Sequence, residues 1–478
     1  MRYTKIYCLA LLLIVALKSN AQEMWGMANS NYAGNFAIDL NPASMAFSPI
    51  KYELNVLSGN VTFQNNYLYL PKGNMSIGKF FKADFFNYEW QDRYTTENKN
   101  AYVHGMVKGP SFFTRIGQTA FGLHSALRTD ASVRNINYQL AKLFYEGSDF
   151  NPLQQQQLLA SNNKVSGMMY GEIGGSFAQQ FKASEGNKVS FGLTVNYLLG
   201  LNSIYAQNDA MTYTFDDASL LHISNLNADF GYAMPDEGKQ NYFNIRGRGI
   251  STTWGFQYMH GLNPEAYNIY AARLKLKKYK YKLGASLIDA GSILFTSETK
   301  RYSYFNSSLD WTGFDTTKID GIAHLGELIS NKVLEESATT NTDTKYRQQL
   351  PTALSVQFDY CLTHFLYVNT SLIQPVKMKA IGVRRPAQLA ITPRIELWRY
   401  EISMPFSLYE YKQFRTGLAI RLGQLVVGSD YFTSMTGLSK FNGFDFYVGI
   451  KHSNYAMDKL AKRKKGNKKP DTYNIDNL

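Results

Sequence analysis

The residues able to do chemistry in this chain are spaced against an active site. Seven histidines fall at 104, 124, 222, 260, 324, 364 and 452. None stands in the His-Glu-x-x-His spacing that turns two imidazoles to one helical face around a metal. Gly247-Arg248-Gly249 has Thr252 where a dinucleotide fingerprint needs its third glycine, and no strand–helix unit surrounds it. No Gly-x-Ser-x-Gly elbow signals a nucleophilic serine. The pattern predicts no catalytic residue, cofactor or metal site.

Charged residues are informative in another way. Arg128, Asp130, Asp359, Arg399, Glu401, Arg421, Asp430, Asp445 and Lys451 each take the polar position of an alternating run. Such a face forms either a lumen of paired charges or a ligand path. Lys280, Lys282, Arg399 and Arg421 are the candidates for the path, with an anion preference around the two lysines. Acids accompany bases elsewhere, so a single-sign filter is not supported.

The elements that position these charges are strands. Leu354, Val356, Phe358, Tyr360 and Leu362 alternate with Ser355, Gln357 and Asp359. Four more runs between 350 and 452 repeat the period: 366–372, 398–406, 417–422 and 444–451. Period two over about nine residues means one dry and one wet face. Aromatics stand near the ends of the dry face, at Tyr360, Trp398, Phe406 and Phe444. Connections alternate short (363–364, 423–424) and long (376–386, 433–442). Strands of this length, aromatic girdles and alternating loops predict an all-β chain: a transmembrane antiparallel β-barrel and not a soluble sandwich.

The N-terminus agrees with export. Arg2 and Lys5 precede an apolar run over 6–17, and Ser19-Asn20-Ala21 offers small residues for cleavage before Gln22. Residues 1–21 therefore read as a signal peptide, with the mature protein expected in the cell outer membrane. Cys8 leaves with it, so Cys361 is alone and no intrachain disulfide can form. The formal net charge is +13, and residues 451–478 hold eight basic and three acidic residues. That block reads as a disordered basic periplasmic tail over 453–478, and nucleic-acid binding is not expected.

Residues 24–50 lack alternation. Asn41-Pro42 reads as an N-cap followed by proline in the first helical turn, opening a short helix through Ala43. An Asn-Pro-Ala segment just before the first strand resembles the outer-membrane long-chain fatty-acid and hydrocarbon transporter family, FadL-like barrels, and also the PorV barrel of a Bacteroidota secretion system. Asn31-Tyr32-Ala33-Gly34, Leu40-Asn41-Pro42-Ala43 and the run 281–293, Tyr-Lys-Leu-Gly-Ala-Ser-Leu-Ile-Asp-Ala-Gly-Ser-Ile, are similar to an uncharacterised Bacteroidota family of outer-membrane barrels. The resemblance implies that 22–51 forms a lumen plug with Asn41, Pro42 and Ala43 as its motif, ahead of a barrel over 52–452.

About fourteen strands are expected. Sixteen would follow if 267–276 and 291–305 were separate strands; fourteen follow if 278–305 is one strand kinked near Gly291. Long loops are expected over 66–100, 132–165 (helical at 138–145 and 152–160), 202–246 and 306–348 (helical at 319–334). Two functions stay open. One is a barrel admitting a hydrophobic or amphipathic small molecule past the plug. The other is a scaffold gripping a secretion-system protein. An apolar channel beside the plug would favour the first, and a closed lumen with exposed aromatic loops the second. Outer-membrane lipid is a partner in both.

Overall fold

The computed structural model describes residues 24–455, apart from 83–87, 149, 185, 236–240, 262–278, 318–327, 329–330, 333–344, 364, 378–379 and 398. The expected signal peptide, the basic tail past Tyr455, the extra strand at 267–276 and nearly all of the helix at 319–334 lie outside the described residues; residues 453–455, expected in the tail, end the last strand of the barrel.

Fourteen antiparallel strands close into a barrel. In chain order they are β1 (Ile50–Asn65), β2 (Lys99–Lys108 and Ser111–Ile116), β3 (Thr119–Ile136), β4 (Leu158–Ser184) and β5 (Asn187–Phe215). Next come β6 (Leu220–Ala233 and Gly247–His260), β7 (Tyr281–Phe295 and Thr299–Thr312), β8 (Tyr346–Gln349 and Ala353–Cys361), β9 (Leu366–Pro375) and β10 (Gln388–Glu396). The last are β11 (Tyr400–Ser403 and Phe406–Tyr409), β12 (Gln413–Thr416 and Leu418–Leu422), β13 (Leu425–Ser429) and β14 (Gly443–Tyr455). β14 pairs back onto β1, with Val61 opposite Phe446 and Phe63 opposite Phe444, so the sheet has no open seam. Closure matters because a strand edge in hydrocarbon would leave N–H and C=O groups without partners.

Side-chain parity sets the two faces. In β8, Ser355, Gln357 and Asp359 are buried inside while Leu354, Val356 and Phe358 are exposed. In β5, Ser190, Thr194 and Asn196 point in; Phe191, Val195 and Tyr197 point out. Phe121, Ile173, Phe177, Trp254, Ile402 and Ile450 extend the exposed apolar surface around the wall. A continuous apolar exterior over a polar interior belongs in lipid, so the barrel spans a membrane. No helix among the described residues is long and apolar enough to cross one.

Several local expectations change. The region 202–246 is not one irregular loop: β5 runs on to Phe215 and turns back through Leu220–Ala233. With the upper parts of β4 and β7 these strands form a sheet extension past the end of the barrel. Helix α3 (Tyr138–Glu146) forms as read, capped by Asn137, whose side chain accepts from Leu140 N at 2.9 Å. The second expected helix does not form. A 3-10 turn covers only Asn151–Leu153 and the chain is extended from Leu158, where it pairs with Tyr213. Strands β10 and β13 carry no clear sequence signal: Pro393 interrupts the first and the second has five residues.

Strand β7 is continuous in course and kinked, as the fourteen-strand reading requires. The irregularity falls at Asp289, with φ of 52°, where the register against β6 shifts between Thr252 and Trp254. A bulge puts two successive residues on one face, so Ile288 and Asp289 are both buried.

Candidate functional site

Residues 24–49 fill the lower lumen. Helix α1 (Asn35–Ile38) and a 3-10 turn over Pro42–Phe47 are joined by irregular chain, and nearly every side chain is buried. Irregular backbone is tolerated at membrane depth when protein surrounds it, provided its polar groups find partners. Here the barrel wall supplies them.

A belt of charges at the lower end of the barrel holds the first part. Arg394 grips Asp359 with two parallel bonds of 2.7 and 3.0 Å and donates to Glu396 at 2.9 Å. Arg421 donates to Glu401 at 3.1 Å, and Lys451 lies 3.1 Å from Glu53. The plug threads through this belt. Ser30 donates to Glu401 at 2.7 Å, Lys282 to the Asn31 carbonyl oxygen Oδ1 at 3.1 Å, and Lys451 to the Ala33 carbonyl at 2.8 Å. The Asn35 amide N–H donates to Glu53 at 2.8 Å. Further up, the Trp25 amide N–H donates to Asp430 at 2.7 Å and its indole to Gln388 at 2.9 Å.

The Asn41-Pro42-Ala43 motif meets a trough in the wall. Asn41 caps the 3-10 turn, its side chain accepting from Ala43 N at 3.0 Å, and donates to the Phe256 carbonyl at 3.1 Å and to Gln357 at 3.0 Å. Gly192 and Gly255, opposite one another on β5 and β6, leave room for it. A Cβ on Gly192 would stand 2.3 Å from Ala43 N, and one on Gly255 2.3 Å from Asn41 Oδ1. Ser190 and Ser286 close the trough, donating to the carbonyls of Ala43 (3.0 Å) and Leu40 (2.6 Å).

A second charged layer lies above the plug. Asp289, turned inward by the bulge, receives Arg128 from β3 at 2.8 and 3.0 Å and Arg385 at 2.8 Å. Glu172 of β4 lies 3.3 Å from Arg128, and His104 Nδ1 is 2.5 Å from Asp130. Arg385 comes from the connection between β9 and β10, expected as an outside loop. It folds inward: Ile381 accepts from the Gln349 amide at 2.9 Å, and Arg384 N–H donates to Ser132 at 3.2 Å. The loop thus reaches from β8 to β3 across the lumen. Above it Tyr102, Tyr170, Tyr205, Phe295, Tyr346 and Leu350 pack around Val383 as an aromatic layer. The inner face of the sheet extension continues this layer with Tyr213, Tyr302 and Trp311, covered by Leu140 of α3.

The candidate path residues divide. Lys282 and Arg421 are buried lumen residues held by carboxylates and by the plug; Arg421 also lies 4.7 Å over the Tyr32 ring. Lys280 does not face the lumen. It precedes β7 at the rim, its ammonium 4.7 Å over the Tyr360 ring, because 280 lies outside the pleat that orients 282. Arg399 is exposed in the turn between β10 and β11, since those strands end at Glu396 and resume at Tyr400. Lys108, Arg385 and Arg394 complete the layers and were not singled out by sequence. Arg394 has a parity signal with Thr392 and Glu396 that Pro393 conceals.

Two small cavities lie beside the plug. One cavity of about 30 Å³ lies between Asn41, Lys282 and Gln357, another of about 50 Å³ between Phe36, His124, Arg128 and Asp289. Both are water-sized. No group of three or more histidine, cysteine or carboxylate side chains is placed to hold a metal among the described residues.

A family model described as a family of unknown function (DUF5723) matches residues 42–430. No curated protein matches the sequence. Solved structures with a similar chain course include a deltaS2S3 mutant of the monoaromatic hydrocarbon channel TodX (TM-score 0.44, 9% identity, 92% of this chain and 98% of that one). The Ralstonia pickettii toluene transporter TbuX follows (0.39, 10%, 90% and 96%), as does a Pseudomonas aeruginosa FadL homologue (0.31, 11%, 92% and 99%).

Proposed function

The chain belongs to that family of unknown function, DUF5723, and we propose that it is an outer-membrane barrel in which small apolar or amphipathic molecules pass once the plug shifts. One observation carries this reading: the upper lumen is aromatic. A water-filled pore has a polar lining, whereas Tyr102, Tyr170, Tyr205, Phe295 and Tyr346 are buried on Val383 and would give an apolar molecule an aromatic lining once the loop that carries Val383 shifts. Below them the route is barred by polar contacts. Hydrogen bonds between a plug and a wall can be exchanged for water one at a time, so the plug is removable in principle where a covalent stopper would not be.

The experiment deletes residues 24–48 behind the leader. Leakage of a small polar solute and uptake of a hydrophobic fluorescent probe are then compared in cells. Uptake by the intact protein above a barrel-free strain supports the reading. Unchanged permeability of the deletion variant would remove the plug, and leakage with no probe uptake by either protein would leave a permanent stopper.

The filled lower lumen and the exposed Tyr94, Phe144, Leu159 and Phe305 on the outer loops and the sheet extension favour a second reading, a scaffold that grips another protein. Recovery of a stoichiometric protein partner from native membranes, lost on Phe305→Ser and Phe144→Ser substitution, would decide for it.

A further inference from the structure

The two loops flanking the β1–β14 seam do not rise away from the barrel. Leu70 and Phe441 exchange backbone bonds of 2.8 and 3.0 Å, and the Gly73 amide donates to Gly437 at 3.0 Å, so the loops are zipped together. Helix α2 (Ile77–Phe81) then lies on the outside of the wall. Its Phe80 meets Phe444 at 5.1 Å between ring centres, and Phe81 meets Phe446 at 5.8 Å, both T-shaped. Phe444 and Phe446 share the outward parity of Val448 and Ile450. The helix therefore covers the extracellular end of the stripe that faces lipid lower down.

What it presents outward is amphipathic. Ile77, Phe81 and Leu438 are exposed, the last two to 62%. Lys72, Lys79, Lys82 and Lys440 are exposed around them, and none has a carboxylate partner among the described residues. Lys440 is braced 4.4 Å over the Tyr69 ring and Lys79 5.5 Å over Tyr88. Apolar side chains at the top of a lipid-facing stripe, bordered by cations, match the boundary between acyl chains and headgroups.

We infer that this surface binds a lipid of the outer leaflet that carries net negative charge on its phosphate. Ile77, Phe81 and Leu438 seat among its acyl chains while the four lysines hold the phosphate. Charge complementarity chooses this occupant, because a lipid without net charge would leave Lys72, Lys79, Lys82 and Lys440 without a carboxylate partner among the described residues.

The test uses the full-length protein in vesicles of phosphatidylcholine containing a minor fraction of phosphatidic acid, with lipids retained after brief extraction counted by native mass spectrometry. Phosphatidic acid should be enriched over its share of the vesicle. Lys79→Gln and Lys82→Gln should lower that enrichment about fivefold per charge removed, and Phe81→Ser should lower retention of both lipids with the ratio unchanged. Lys51→Gln, an exposed lysine at the opposite end of the wall, should change nothing; heat-modifiable electrophoretic mobility checks that each barrel is folded. No enrichment in the parent protein, or equal loss in the Lys51 variant, would overturn the assignment. So would displacement of the lipid by inorganic phosphate at the same concentration.

Discussion

The lower and upper halves of the lumen are built on opposite principles. Below, charged groups are buried in bulk and held by directed bonds: Arg394 to Asp359 and Glu396, Lys451 to Glu53 and two plug carbonyls. Above, aromatic rings stack and tolerate mismatch. The buried hydroxyl of Tyr213 has no hydrogen-bond partner among the described residues. A polar interior is specified by direction as well as position, since a buried charge left alone costs far more than a poorly packed ring. The halves should therefore respond differently to the same kind of damage.

The largest effect is expected in the charged belt. Arg394→Met leaves Glu396 buried without its cation and Asp359 with only Lys282, 3.3 Å away, and breaking such a pair costs roughly 3–5 kcal/mol. Urea unfolding of the barrel in lipid vesicles measures this, and Arg394→Met combined with Asp359→Leu should recover part of the loss. A smaller effect, on the plug more than the wall, is expected at the trough. Gly192→Val puts a side chain where Ala43 N now lies. Overpacking of this kind costs about 1–3 kcal/mol, and small-solute leakage should rise as the plug is displaced. Leakage at the parental level would mean that the motif can reseat elsewhere.

In the upper half Tyr213→Phe should change stability by less than about 1 kcal/mol, or raise it, because no hydrogen bond is lost. A loss as large as that of Arg394→Met would erase the distinction between the halves.

The smallest effect lies beyond the membrane, at the tip of the sheet extension. The hydrogen bond from His222 to Asp310, helped by a second to Asp216 at 3.1 Å, raises the imidazole pKa above its ordinary value. The cation then favours the folded tip. That contribution is complete below the ordinary histidine pKa of about 6.5 and is lost as pH rises through the raised value. Protection of the amides at 220–223, taken relative to intrinsic base-catalysed exchange, should fall as pH rises past the ordinary histidine value of about 6.5, and His222→Gln should abolish that fall.

Parity carried most of what the sequence decided. A side chain's face in a strand follows from counting in twos, so the dry and wet faces of β5, β8, β11 and β14 were legible, and with them the barrel and the lumen position of Asp359 and Arg421. The counting failed where the pleat stops. Lys280 and Arg399 share the right parity but sit beyond the strand ends, and Asp289 faces inward through a bulge that parity alone would not foresee.

Asn41-Pro42 was legible as a cap and turn because those preferences are local. Its seat was not. Gly192 and Gly255 matter for the side chain they lack, opposite a segment about 150 and 210 residues earlier in the chain, and an absence has no pattern to read. Arg385 escaped notice for a related reason: only the inward fold of its loop brings it to Asp289. The sequence by itself determined which side of each regular strand meets lipid, through a two-residue period that holds wherever backbone hydrogen bonds hold. Only the tertiary structure decided which charges pair across the lumen and where the plug rests, because those distances depend on closure of the whole barrel.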